Sequence, residues 1–127
     1  MDLYAEIILD HYQHPHHAGT LEQPTISAED SNPLCGDKIR LDLLLDQNGK
    51  IIDVGFVGEG CAISQASASM LTDELIGKTI EEAEQLQNED IYAMVQVLLS
   101  PARVKCALLS LATLKKGVLN YRISHSK

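Results

Sequence analysis

The feature that most constrains the fold is a pair of strand-like segments joined by a short turn. From Lys38 to Leu45 apolar residues alternate with polar ones, which is the period of a strand with one buried face. Asp46–Gly49 reads Asp-Gln-Asn-Gly, a strong turn sequence, and Ile51–Val57 supplies a returning strand. The pattern therefore predicts an antiparallel hairpin. The apolar residues expected to share the buried face of the returning strand are Ile52, Val54 and Phe56.

Amphipathic segments on both sides of this hairpin predict helices. The helix boundaries follow from capping residues, glycines and prolines, and Thr25–Ala28 is the one other strand-like stretch, expected as a short edge strand in a loop. The predicted helices are Leu3–His14, Ser64–Ile76, a short one opened by the capping box of Thr79 and Glu82, Asp90–Leu99, and Pro101–Leu119. The fold class is therefore α+β, a small antiparallel sheet with helices packed on one face.

The charge balance narrows the class of partner. The chain has 10 basic and 18 acidic residues, a formal net charge of −8. Such a surface repels phosphate backbones and anionic lipids, so we expect neither a nucleic-acid partner nor a membrane partner. The first residues are acidic where a secretory signal is basic, and no apolar run reaches the roughly 18 residues that a membrane span needs. We therefore expect a cytoplasmic protein.

Three cysteines and one aspartate form the candidate site. An odd number of cysteines cannot pair completely within a chain, which in a cytoplasmic protein favours metal binding or thiol chemistry. Cys35-Gly36-Asp37 places a thiolate and a carboxylate two residues apart, and the glycine lets both aim at one point. With Cys61 after a Gly-rich turn and Cys106 near a helix start, they would complete a tetrahedral zinc site, at zinc–sulfur distances of about 2.3 Å.

Spacing alone leaves three interpretations of these cysteines open. The cysteines lie far apart, without a Cys-x-x-Cys pair, and free cysteines commonly fill cores as small apolar side chains. Buried structural thiols, a metal site, and a redox or nucleophilic thiol all fit the residues. The position of each cysteine at a loop or an element end favours a functional role, because such positions carry function more often than packing.

Four segments, taken together, resemble one known family along essentially the whole chain. They are His11–Gly19, Asn32–Leu41, Gly58–Met70 and Ala102–Ala107. These are similar to the N-terminal His-Tyr-x-x-Pro-x-x-x-Gly signature and the three cysteine motifs of the SufU proteins, within the wider IscU/NifU N-terminal family. The resemblance implies a three-stranded sheet in a single domain spanning residues 1–127. It also implies one metal site, whose ligands would be Cys35, Asp37, Cys61 and Cys106.

The same resemblance implies two alternative activities. SufU proteins depend on zinc and accept persulfide sulfur from a SufS-type cysteine desulfurase, in which case Cys35 is the acceptor. IscU proteins instead assemble a [2Fe–2S] cluster on the corresponding ligands. Lys105 before the third cysteine is typical of SufU, whereas the short interval between the second and third cysteines is typical of IscU. Sulfur transfer is the first interpretation and the scaffold the alternative. A structural zinc domain without sulfur chemistry is the third.

Other proteins of iron–sulfur assembly are expected to bind this chain, and polar residues near the site are expected to balance its charge. Downstream iron–sulfur assembly or recipient proteins are expected partners, and self-association into a homo-oligomer stays open. A zinc ion with three thiolates and a carboxylate carries net negative charge, for which Arg103 and Lys105 are candidate counter-charges. His14, His16 and His17 have the chemistry of metal ligands, but in a proline-bounded loop we expect them to form an exposed polar cluster.

Overall fold

A computed structural model describes residues 3–32, 36–95 and 101–125 of the chain, without the side chains of residues 3–5 and 101–103. Within these ranges a three-stranded antiparallel sheet is combined with five helices, as the α+β prediction requires. The elements in chain order are α1 (Leu3–Gln13), β1 (Ile26–Asn32), β2 (Asp37–Leu45), β3 (Ile51–Glu59), α2 (Ala62–Leu75), α3 (Ile80–Glu84), α4 (Asn88–Val95) and α5 (Pro101–Ser124).

The sheet has the order β1-β2-β3, so the predicted hairpin is confirmed as β2 and β3. Leu41 pairs with Ala28 on one side and with Phe56 on the other. The first strand is longer than the four residues expected. Its second half was not predicted because the residues there are polar and at most half-buried. An edge strand needs just one apolar face and gains its backbone hydrogen bonds from β2, so Glu29 and Asp30 are accommodated there.

The prediction that Ile52 shares the buried face of β3 is wrong. Ile52 is 51% exposed, whereas Ile51 is fully buried beside Val54 and Phe56 in the core. The cause is a shift of register, since Leu44 pairs with Asp53 but Leu45 pairs with Ile51, which leaves Ile52 without a partner in β2. Such a bulge reverses the direction in which the residues before it point.

The hydrophobic core lies between the sheet and the helices α2 and α5. Leu41 and Leu43 of the sheet are packed against Leu71 and Leu75 of α2 and Leu111 of α5, all of them buried. Burying a leucine side chain contributes about 1.5–3 kcal/mol, so these residues dominate the stability of the domain. The last helix continues to Ser124, beyond the expected end at Leu119.

The loop after α1 pairs with the outer edge of β3 and continues onto the face of the sheet that carries Asp42. The backbone N–H of Gly19 donates to Phe56 O at 2.8 Å, and the N–H of Phe56 donates to His17 O at 3.0 Å. Farther along this loop, the N–H of Leu21 donates to the carboxylate of Asp42, which is buried although its strand position predicted an exposed residue. The loop is therefore fixed to the sheet by backbone hydrogen bonds.

Candidate metal centre

Asp37 and Cys61 meet because β2 begins where β3 ends. Lys38 pairs with Glu59, which places the turn after β3 directly beside Asp37, the first residue of β2. The N–H of Cys61 donates to Asp37 Oδ1 at 2.8 Å, and Cys61 Sγ lies 3.6 Å from Asp37 Oδ2. Asp37 is only 1% exposed, so this hydrogen bond compensates part of the cost of burying its carboxylate.

Gly60 makes this approach sterically feasible. Its φ is +115°, a conformation that residues with a Cβ rarely adopt, and a Cβ placed there would overlap Oδ1 of Asp37. The side-chain amide of Gln65 donates to Gly60 O at 2.9 Å and braces the turn from the first turns of α2. Glycine is thus required at position 60, because the carboxylate of Asp37 occupies the space that a side chain there would need.

Cys106 completes a cluster of three donors from three separate elements. It lies in the second turn of α5, is 3% exposed, and faces the start of α2. One carboxylate oxygen of Asp37 and the Sγ atoms of Cys61 and Cys106 all lie within 4.8 Å of one another. Helices α2 and α5 are joined nearby by Ser67, whose hydroxyl donates to Ala107 O at 2.6 Å. Tertiary packing therefore brings together donors that are distant in sequence.

The donors differ in their access to solvent and in their electrostatic surroundings. Cys61 is the N-cap of α2 and is half-buried, so a thiolate there faces the positive end of the helix dipole. Asp37 and Cys106 are both buried, so Cys61 is the most solvent-accessible of these three donors. Lys105 is exposed on α5, and the side chain of Arg103 lies outside the part that the structure describes, so the counter-charge role of Arg103 stays a prediction.

Three of the four predicted ligands are brought together in this way. The fourth, Cys35, lies outside the described residues, and its place in the site stays a prediction. Gly36, the one residue between it and Asp37, has φ +73° and donates its N–H to Asn32 O at 2.9 Å. A donor set of thiolates with one carboxylate suits zinc, which accepts both sulfur and oxygen ligands in tetrahedral sites. The residues present thus fit a zinc ion.

Comparison with known proteins identifies the family of the chain. The family model described as "NifU-like N terminal domain" matches residues 3–127. The chain belongs to the NifU-like N-terminal domain family. The family predicted from the four sequence segments, which includes the SufU and IscU proteins, is thereby confirmed.

Relatives within the family carry two kinds of name. The zinc-dependent sulfurtransferase SufU of Bacillus subtilis strain 168 is 43% identical, over 91% of this chain and 89% of its own. The iron–sulfur cluster assembly enzyme IscU of Drosophila melanogaster is 33% identical, over 98% of this chain and 82% of its own. Among solved structures, a proposed iron–sulfur cluster assembly scaffold for the SUF system from Fervidobacterium islandicum AW-1 is 35% identical, with a TM-score of 0.76 over 89% of this chain and 94% of that chain. This likeness confirms the predicted fold.

A second group of donors lies away from the thiol cluster of this family member. His11 on α1, His16 in the following loop and Asp73 on α2 each offer a ligand atom, and these atoms lie within 4.8 Å of one another. Burial, followed by the charge of His16, lowers the pKa of His11, while Asp73 and Asp10 act in the opposite direction. His14 and His16 are exposed, as predicted, whereas His17 is half-buried, and His16 and His17 also contact Asp73 and Thr72 of α2. No local pattern marks Asp73, and His11 is marked only as part of the N-terminal signature, because tertiary packing alone brings these two side chains together.

In the ranges that the structure describes, no helix is both long enough and apolar enough to cross a bilayer.

Proposed function

We propose that this protein is a zinc-dependent sulfur acceptor, which takes persulfide sulfur from a SufS-type cysteine desulfurase for iron–sulfur cluster biogenesis. The observation that carries the proposal is the convergence of Asp37, Cys61 and Cys106 within 4.8 Å from three separate elements. The similarity to a zinc-dependent sulfurtransferase over 91% of this chain supports it further. In this proposal residues 1–127 act as one domain, in the cytoplasm.

The ligands of the ion would be Asp37, Cys61 and Cys106 together with Cys35. Zinc bound there keeps the thiols deprotonated and protects them from oxidation until they are needed. The protein's own contribution is to hold the buried donors in place: Asp37 by the N–H of Cys61, and Cys106 by the packing of α5 against α2. Cys35 is the ligand that we assign to the transfer, which is the role that the resemblance to the SufU proteins implies for it.

The transfer is a thiol–disulfide type of exchange that needs no oxidant or reductant. The thiolate of Cys35 attacks the outer sulfur of the desulfurase persulfide, and a new S–S bond forms on Cys35. The S–S bond of the donor breaks, and the desulfurase cysteine leaves as a thiolate. The product is a persulfide on Cys35, which downstream iron–sulfur assembly or recipient proteins consume.

The second candidate function is a scaffold on which a [2Fe–2S] cluster is assembled as cargo. It is favoured by the match to the Drosophila IscU protein, which covers 98% of this chain. The same donors serve both functions, since thiolates also bind iron–sulfur clusters. The two functions differ in whether the zinc-loaded form is the active one.

The distinguishing experiment measures cysteine turnover by a SufS-type desulfurase with this protein added either zinc-loaded or stripped of metal. We expect the zinc-loaded protein to accelerate turnover, because it provides an acceptor for the persulfide, and we expect Cys35→Ala to abolish the acceleration. Lys115→Ala, on the exposed face of α5, is the control and should behave as the unchanged protein. If only the stripped protein responds, and it then forms a coloured cluster with iron, the protein is a scaffold and the first proposal fails.

A further inference from the structure

The donor group of His11, His16 and Asp73 supports an inference that does not depend on the sulfur-transfer proposal. We propose that His11, His16 and Asp73 form a second metal site, which binds a divalent transition-metal ion through two imidazoles and one carboxylate. Two histidines with one carboxylate are a common ligand set for such ions. Unlike the first site, this set contains no thiolate. The donors come from three parts of the fold, namely α1, the loop after it, and α2.

The ligand atoms already lie close together. His16 Nδ1 is 2.7 Å from Asp73 Oδ2, and the ring centroids of His11 and His16 are 4.5 Å apart. At metal–ligand distances of about 2.0–2.2 Å, two ligands of one ion lie at most about 4.4 Å from each other. Small side-chain rotations suffice to place an ion between the three donors, with the contact between His16 and Asp73 opening to admit it.

The histidines are held in place by hydroxyl groups of α2. Ser69 Oγ lies 2.7 Å from His11 Nδ1 and accepts the backbone N–H of His16 at 2.8 Å. In the tautomer that carries the proton on Nδ1, His11 donates to Ser69 and leaves Nε2 for coordination, as metal-binding histidines do when their other nitrogen is hydrogen-bonded. Ser69 and Asp73 are four residues apart and therefore lie on one face of the helix. The helix thus supplies both a ligand and the group that orients another.

The proposed site has a further donor beside it and is accessible from solvent. His17 Nδ1 is 3.1 Å from Thr72 Oγ1 and 3.5 Å from Asp73 Oδ1, so a third imidazole is adjacent as a fourth ligand. The side chains of His16 and Asp73 are 46% and 41% exposed, and an open cavity of about 250 Å³ is lined by His11 and Asp73. An ion can therefore enter from solvent and keep water as a ligand, which is the arrangement of an open rather than a closed site.

The test uses untagged protein whose thiol site has first been filled with one equivalent of Zn²⁺ and is then titrated with Co²⁺. Zinc stays on the thiolates, because cobalt binds more weakly to a given site. We expect one further equivalent of Co²⁺ to bind, with visible d–d absorption but without thiolate-to-cobalt charge transfer. His16→Ala and Asp73→Asn should each weaken this binding by at least about tenfold, since even outer-shell changes at metal sites cost that much.

His14→Ala is the matched control, because His14 belongs to the same loop, is exposed, and lies outside the donor group. It should bind Co²⁺ as the unchanged protein does. The proposal fails if no further equivalent binds, if His16→Ala binds as well as the unchanged protein, or if His14→Ala loses binding equally, as a diffuse histidine loop would. Because the thiol site is occupied by zinc throughout, failure here leaves the sulfur-transfer proposal untouched.

Discussion

Replacing Cys106 with serine is expected to weaken zinc binding by about two to three orders of magnitude while the domain stays folded. Zinc sites with four protein ligands contribute about 10–16 kcal/mol of binding free energy, so one ligand accounts for about 2.5–4 kcal/mol. Serine has nearly the size of cysteine, which limits packing damage at this buried position, but its hydroxyl is neutral at pH 7 and a poor zinc ligand. Competition with a chromophoric chelator measures the change.

Ser110→Ala is the matched control for Cys106→Ser. Ser110 is one turn farther along α5, is fully buried, and contacts Ser67 across the same helix interface at 3.4 Å. Its replacement should cost about 1 kcal/mol of unfolding free energy through the lost polar contact and leave zinc affinity unchanged. Equal zinc affinity in Cys106→Ser and the unchanged protein would show that Cys106 is a packing residue rather than a ligand.

Gly60→Ala is expected to disrupt the metal centre through Asp37. The new Cβ would occupy the space of the Asp37 carboxylate, and φ +115° strains any residue with a Cβ. Asp37 must therefore move away from Cys61, and we expect zinc affinity to fall by at least about tenfold, together with a loss of about 1–3 kcal/mol of stability. Chelator competition and thermal unfolding measure the two effects separately.

Gly77→Ala separates backbone strain from damage to the site. Gly77 also has a left-handed φ, +93°, but nothing lies within 4 Å of the Cβ position. Its replacement should lower stability to a similar degree through backbone strain and leave zinc affinity as it was. If the two alanine variants bind zinc equally well, the contact between Gly60 and Asp37 is not what shapes the centre.

The parts of the fold that depend on local pattern were predictable. Alternation along β2 and the turn at Asp46–Gly49 predicted the hairpin, and the capping box of Thr79 and Glu82 opens α3 as expected. The prediction that Ile52 is buried was wrong, because a bulge depends on how two strands pair and cannot be seen in the alternation of one strand. The length of β1 was missed because its polar residues are stabilised by pairing with β2, which is a tertiary effect.

Residue chemistry alone left the metal centre as one of three interpretations, and the resemblance to a known family selected it. Asp37, Cys61 and Cys106 come from a strand start, a helix cap and a second helix, so no local spacing could show that they meet. The family motifs named all three, and packing then explains why Gly60 precedes Cys61. His11 and Asp73 had no such motif to link them, since their proximity results from the docking of α1 and its loop against α2.

The acceptor role of Cys35 is tested most directly by locating the transferred sulfur. Zinc-loaded protein is incubated with a SufS-type desulfurase and cysteine, its thiols and persulfides are alkylated, and its peptides are analysed by mass spectrometry. We predict one additional sulfur atom on the peptide that contains Cys35, and its absence when the desulfurase is omitted. An additional sulfur found on Cys61 or Cys106 instead, or on no cysteine, would contradict the assignment of Cys35 as acceptor.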